Sequence, residues 1–172
     1  MSKYRFLWVL PVSFDITHPM IVEIDDIKSH MQPSQRLLGL DLGSKTIGIA
    51  LSDIMCRIAT PMETIKRSKF TKDAERLISI ISAQNVGGII LGLPLNMDGS
   101  EGPRCQSTRQ FAANISGKID IAIALWDERL STVAVTRTLI EADTSRKRRR
   151  QLVDKMAAGY ILQGALDKLS RM

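Results

Sequence analysis

Three carboxylates, far apart in the chain, have the types and settings needed for metal-assisted chemistry. They are Asp41 in LLGLDLGSKTIGIALSD, Glu128 in ALWDERLST and Asp154 in QLVDKMAAGYIL. Asp41 ends the apolar run of residues 37–40, Glu128 follows the strand-like run of residues 119–126, and Asp154 interrupts an amphipathic helical pattern. An acid serves no packing purpose at any of these places. Acids at the carboxyl ends of neighbouring strands in an α/β sheet converge on one crevice. Carboxylates brought together in a partly dry cleft repel one another and need cations between them. Oxygen-only ligation in a basic surround points to Mg²⁺ or Mn²⁺ acting on a phosphodiester.

Each acid also has a plainer explanation. Asp41 with Gly43 and Ser44 is ordinary turn chemistry. The same strand-turn-strand could be the phosphate-binding hairpin of sugar kinases and actin-like ATPases, but 172 residues are too few for their two lobes. Asp127 and Glu128 are adjacent, and strand neighbours point to opposite faces, so only one of them can face the crevice. Asp154 alone would pass for a solvent-facing acid favoured by the helix dipole in a first turn. GLPLNMDGSEGPR, residues 92–104, is a glycine-rich loop able to offer backbone amides to phosphates, but it lacks the GK[ST] ending of a P-loop.

The overall charge is compatible with a polyanionic partner, and where it sits says more than its sum. Lys and Arg number 24 against 18 Asp and Glu, for a formal charge of +6. The densest run, Arg146, Lys147, Arg148, Arg149 and Arg150, opens the last helical pattern. Charge runs are usually solvated, and this one reads equally as a plain loop; cations there oppose the helix dipole, however, so local stability does not explain them, whereas a phosphate backbone does. With Cys56 and Cys105 far apart and only two histidines, a zinc site lacks ligands, and two free thiols in a reducing cytoplasm are expected. Residues 6–14 are apolar behind Lys3 and Arg5, but they contain Pro11, lack a small-residue cleavage site and are too short to span a bilayer. No membrane partner is expected. Residues 1–35 read as a partly disordered amino-terminal extension, with Met20 as a possible working start.

The elements that position these residues begin after Pro33. Residues 36–41, 46–52 and 58–66 read as three strands joined by turn-length links, an antiparallel meander. Helical spacing follows over residues 69–84, a doubly buried strand over 86–91, and a helix over 103–116. A fifth strand covers 119–126, a helix capped by Ser131 reaches residue 142, and a last helix runs over 149–169. The order βββ-α-β-α-β-α-α predicts one α/β domain, residues 36–172: a mixed five-stranded sheet with helices on both faces.

Four blocks, GLDLGSKTIGIALSD, GLPLNMDGSEGP, DERLST and VDKMAA, resemble in order and spacing the YqgF/RuvX family of Holliday-junction-resolvase-like proteins in the ribonuclease H superfamily. The resemblance spans residues 36–169 and implies a ribonuclease H-like fold with metal-dependent phosphodiester hydrolysis. It implies Asp41, Glu128 and Asp154 as the catalytic, metal-binding triad around two ions, Mg²⁺ or Mn²⁺, with Asp41 bridging them. It further implies a cytoplasmic enzyme that matures the 5′ end of precursor 16S rRNA in ribosome biogenesis. Lys45, Arg104, Arg129, Arg146, Lys147 and Arg148 are the expected nucleic-acid contacts; Thr46 stands where the family commonly has Arg. Two alternatives stay open: a Holliday-junction resolvase on branched DNA, and a non-catalytic nucleic-acid-binding protein.

Overall fold

The structure is a computed structural model. It describes residues 20–130 and 146–172, and over residues 146–155 the course of the helix but not the side chains. The expected helix over 131–142 lies outside the described residues. The elements are β1 (Ile21–Val22), a 3-10 helix (Ile24–His30), β2 (Arg36–Leu42), β3 (Thr46–Ser52), β4 (Ala59–Lys66) and α1 (Phe70–Ala83). They continue with β5 (Val86–Leu93), α2 (Pro103–Ser116), β6 (Ala122–Asp127) and α3 (Arg146–Leu169).

The strands form one sheet in the order β1-β6-β5-β2-β3-β4. β2, β3 and β4 pair antiparallel, as their short links require, whereas β2, β5 and β6 are parallel neighbours joined through helices. This is the mixed α/β arrangement expected from the element order. Every residue of β5 is buried, which explains its unbroken apolar sequence at the centre of the sheet. Side chains on each strand alternate between two cores. Leu38, Leu40 and Ile89 pack with α1 and α2, while Leu37, Ile90 and Trp126 pack with α3. Pro61 lies on the edge strand β4, where the β3–β4 register shifts and a missing N–H is tolerated.

The sheet has six strands rather than five. β1 comes from residues read as part of the extension, and it pairs parallel with β6 through Ile21↔Ile123 and Val22↔Ala124. Two residues are too few to show strand alternation, so β1 becomes visible only once β6 offers an edge. The 3-10 helix behind it buries Ile24 and Ile27, three residues apart as its period requires. Ile27 lies against Gly88 of β5. Residues 21–30 are therefore part of the sheet and its core.

α3 crosses the sheet at very short range because glycines lie beneath it. A Cβ on Gly39 would stand 2.6 Å from Leu162 Cβ and 2.9 Å from the Ala158 carbonyl oxygen. The buried face of α3 comprises Ala157, Ala158, Ile161, Leu162, Ala165 and Leu166, spaced by three and four residues.

Candidate active site

Asp41 is the penultimate residue of β2 and only 2% exposed. It pairs with Gly48 of β3 on one side. On the other, the register Leu40↔Leu91 makes Gly92 of β5 its neighbour. Gly39 faces α3, so Asp41, two residues along the strand, shares that face.

Glu128 leaves the end of β6 in a short 3-10 turn, Glu128–Leu130. Along β6, Ala122, Ala124 and Trp126 face the α3 side, and Glu128 continues that alternation. Its side chain folds back over β5: a Cβ on Gly92 would stand 2.8 Å from Glu128 Oε1, 3.3 Å from its Cγ and 2.6 Å from Ile161 Cδ1. The missing side chain at Gly92 is thus the space that Glu128 occupies, one strand from Asp41 on the same face. Adjacent strands are about 4.8 Å apart, so the two acids converge at the carboxyl end of the sheet.

Position 154 lies on α3, and its side chain is outside the described residues. The helix runs opposite to β2: Leu169 meets Lys28 of the 3-10 helix at the far end, and Ala158 meets Gly39. Four helical residues rise about 6 Å and two strand residues about 6.6 Å. Position 154 of the helix therefore comes about level with position 41.

Asp127 points to the opposite face, as strand alternation requires. Its carboxylate accepts Arg129 N–H at 2.9 Å, Nε–H at 3.0 Å and Nη2–H at 2.7 Å. The Arg129 guanidinium holds the Asp127 carboxyl below its ordinary value, and the carboxylate in turn raises Arg129. Arg129 Nη1 also approaches the Met97 carbonyl at 3.4 Å, in the loop between β5 and α2. Of the expected nucleic-acid contacts, Arg129 is therefore already ion-paired.

Lys45 is exposed at the tip of the β2–β3 hairpin, close to the end of Asp41's strand. Arg67, which is not among the expected contacts, braces that tip. Its main-chain N–H donates to the Lys45 carbonyl at 2.9 Å and its Nη1 to the Gly43 carbonyl at 2.7 Å. Its only sequence signal is the basic cluster Lys66, Arg67 and Lys69 before α1. Arg104 is exposed in the first turn of α2, directly after the loop that leaves β5. Arg146, Lys147 and Arg148 open α3; their side chains lie outside the described residues.

Asp41 and Glu128 offer hard carboxylate oxygens, the donor type that Mg²⁺ and Mn²⁺ take. Among the described residues no three metal-ligating side chains cluster; the third acid of the expected set is not among them. None of their helices is long and apolar enough to cross a membrane.

Residues 35–168 match the model of the family described as RuvX: Holliday junction resolvase. The "Putative pre-16S rRNA nuclease" of Paramagnetospirillum magneticum is 64% identical over 145 residues, 84% of this chain and 94% of that protein. A protein of the same description from Ruegeria pomeroyi is 56% identical over 154 residues, 89% of this chain and all (100%) of that one. Among solved structures, "T. thermophilus RuvC in complex with Holliday junction substrate" superposes with a TM-score of 0.48 at 10% identity, covering 79% of this chain and 96% of that one.

Proposed function

The chain belongs to the RuvX family, and on that premise we propose that it is a metal-dependent nuclease that processes the 5′ end of precursor 16S rRNA in the cytoplasm, during ribosome biogenesis. The observation that carries this reading is the Glu128 carboxylate lying over the bare backbone of Gly92, one strand from the buried Asp41. No packing need puts two acids there. Both relatives described above carry the rRNA description over nearly their whole length, which favours RNA as substrate.

In this reading Asp41, Glu128 and Asp154 hold two Mg²⁺ or Mn²⁺ ions. When bound, such ions supply activation of a water and stabilisation of the leaving oxygen. Asp41, fixed within a paired strand, would be the most rigidly held of these ligands. Glu128 would approach from the end of β6, across β5, and Asp154 would be supplied by α3, so the donors would come from three elements. Rigid strands keep the donors in place, and β2 cannot shift without breaking its ladder to β3 and β5. Lys45, Arg104, Arg146, Lys147 and Arg148 would hold the phosphates that the acidic centre repels.

The test is parallel digestion of precursor 16S rRNA fragments and a four-way DNA junction with Mg²⁺ or Mn²⁺, with the new ends mapped. Cleavage of the rRNA at its 5′ leader is expected. Cleavage confined to the junction would make the chain a resolvase, and binding without cleavage of either would leave a non-catalytic binding protein.

A further inference from the structure

We propose that Asp127 and Arg129 form a clip that sets the direction in which Glu128 leaves β6, which makes Arg129 a positioning residue rather than a phosphate contact. The inference rests on the reading of Glu128 as a metal ligand.

The two residues flank Glu128 and are joined to each other. Asp127 Oδ1 accepts both the main-chain N–H of Arg129 at 2.9 Å and its Nε–H at 3.0 Å; Oδ2 accepts Nε–H at 3.1 Å and Nη2–H at 2.7 Å. One carboxylate thus closes a turn around Glu128 through its neighbour's backbone and side chain together. Such a closure leaves the intervening residue little torsional freedom, and charge-assisted bidentate contacts are the stronger kind. Because Asp127 and Glu128 occupy opposite faces, tightening the clip on one face aims Glu128 toward Gly92 on the other.

The guanidinium is also tied to the loop between β5 and α2. Nη1 reaches the Met97 carbonyl at 3.4 Å. Gly99, at φ +87°, leaves space beside it: a Cβ there would stand 3.3 Å from Nη1. The loop is itself braced, with Asn96 N–H donating to the Ser100 carbonyl at 3.0 Å and Asn96 Nδ2 to Ser100 Oγ at 2.9 Å. The Arg129 side chain is 34% exposed and that of Asp127 19%. A phosphate approaching Arg129 would compete with a carboxylate already seated on its Nε–Nη2 edge and with the Met97 carbonyl near Nη1. The strand exit and the loop are instead held as one unit under Glu128.

The test compares Arg129→Gln, Asp127→Ala and the double variant with the wild-type chain. Mn²⁺ affinity is read by calorimetry, RNA affinity by salt titration in metal-free buffer, and folding by thermal melts. Asp127→Asn, which keeps an acceptor for the Arg129 N–H, stands in should Asp127→Ala not fold. The clip predicts about a tenfold loss of Mn²⁺ affinity in each single variant, as for partners that orient metal ligands, and no further loss in the double variant. It also predicts an unchanged slope of log K against log salt. A slope reduced by about 0.7–0.9 in Arg129→Gln, with Mn²⁺ affinity intact, would make Arg129 a phosphate contact and overturn the proposal. So would wild-type Mn²⁺ affinity in both single variants, which would leave an ordinary surface ion pair. A wild-type chain that binds no Mn²⁺ would instead remove the nuclease reading, and this one with it.

Discussion

Gly92→Ala is the sharpest probe of the candidate site, because it adds one methyl group where Glu128 lies. The new Cβ would stand 2.8 Å from Glu128 Oε1 and 2.6 Å from Ile161 Cδ1, whereas ordinary contact begins at 3.4 Å. The carboxylate must then retreat by about 0.6 Å and the Ile161 methyl by about 0.8 Å, the differences between those distances. Both are ends of flexible side chains, so the fold can absorb the change. Overpacking costs about 1–3 kcal/mol, offset by about 0.5–1 kcal/mol because Ala is less costly to order than Gly in a strand. A ligand is less forgiving: misplacement by about 1 Å costs on the order of 100-fold in rate. Gly92→Ala should therefore lose about 10- to 100-fold in cleavage while its melting temperature falls by no more than about 10 °C. Cleavage of precursor 16S rRNA fragments, Mn²⁺ titration and thermal melts on one preparation measure all three quantities. In a Glu128→Gln background the added methyl should cost nothing more. Wild-type cleavage by Gly92→Ala would refute the placement of Glu128 as a ligand over β5. Additive losses in the double variant would show that Gly92 acts through Ile161 and α3 instead.

Asp41→Asn, Glu128→Gln and Asp154→Asn should each nearly abolish cleavage while RNA binding in metal-free buffer persists or tightens, since repulsion of phosphate falls; filter binding beside a cleavage assay checks this. Replacing Arg146, Lys147 and Arg148 by Gln should lower the salt slope of RNA binding by about 0.7–0.9 per lost phosphate contact, as measured by affinity across a salt series. Ile27→Ala, which empties a fully buried site against Gly88, should cost about 2–5 kcal/mol, seen as a lower denaturant midpoint. The Asp53 carboxyl is held below its ordinary value of 3.8 by the backbone N–H groups of Ile58 and Arg57, so its stabilisation is present above that pH and fades as pH falls through the lowered folded value. The stability gap between Asp53→Asn and the wild-type chain should close over that same acid range in a pH series of melts.

Local chemistry was legible in the sequence. Alternation and helical spacing depend on residues a few positions apart, so β2 to β6, α1, α2 and the last helix could be read directly. The same alternation assigns Asp127 and Glu128 to opposite faces from their adjacency alone, and the folded chain places them so. Asp41 and Glu128 were recognisable as acids at strand ends. Their approach to each other was not, because it depends on β5 lying between β2 and β6 and on the register that puts Gly92 between them. Pairing order and register are long-range properties, set by which edges bury the most apolar surface. β1 escaped notice for that reason: two residues carry no period, and only the open edge of β6 makes Ile21 and Val22 a strand. Gly92 read as the first residue of the glycine-rich loop 92–104, whereas it lies within β5, and an absent side chain signals nothing until something is found in its place. Arg129 likewise read as a free cation for phosphate, and only the folded chain shows it on Asp127; Arg67 drew no reading at all until the folded chain put it on the Gly43 carbonyl. Residue type and spacing determined which groups could do chemistry; the packing of strands and helix decided which of them meet.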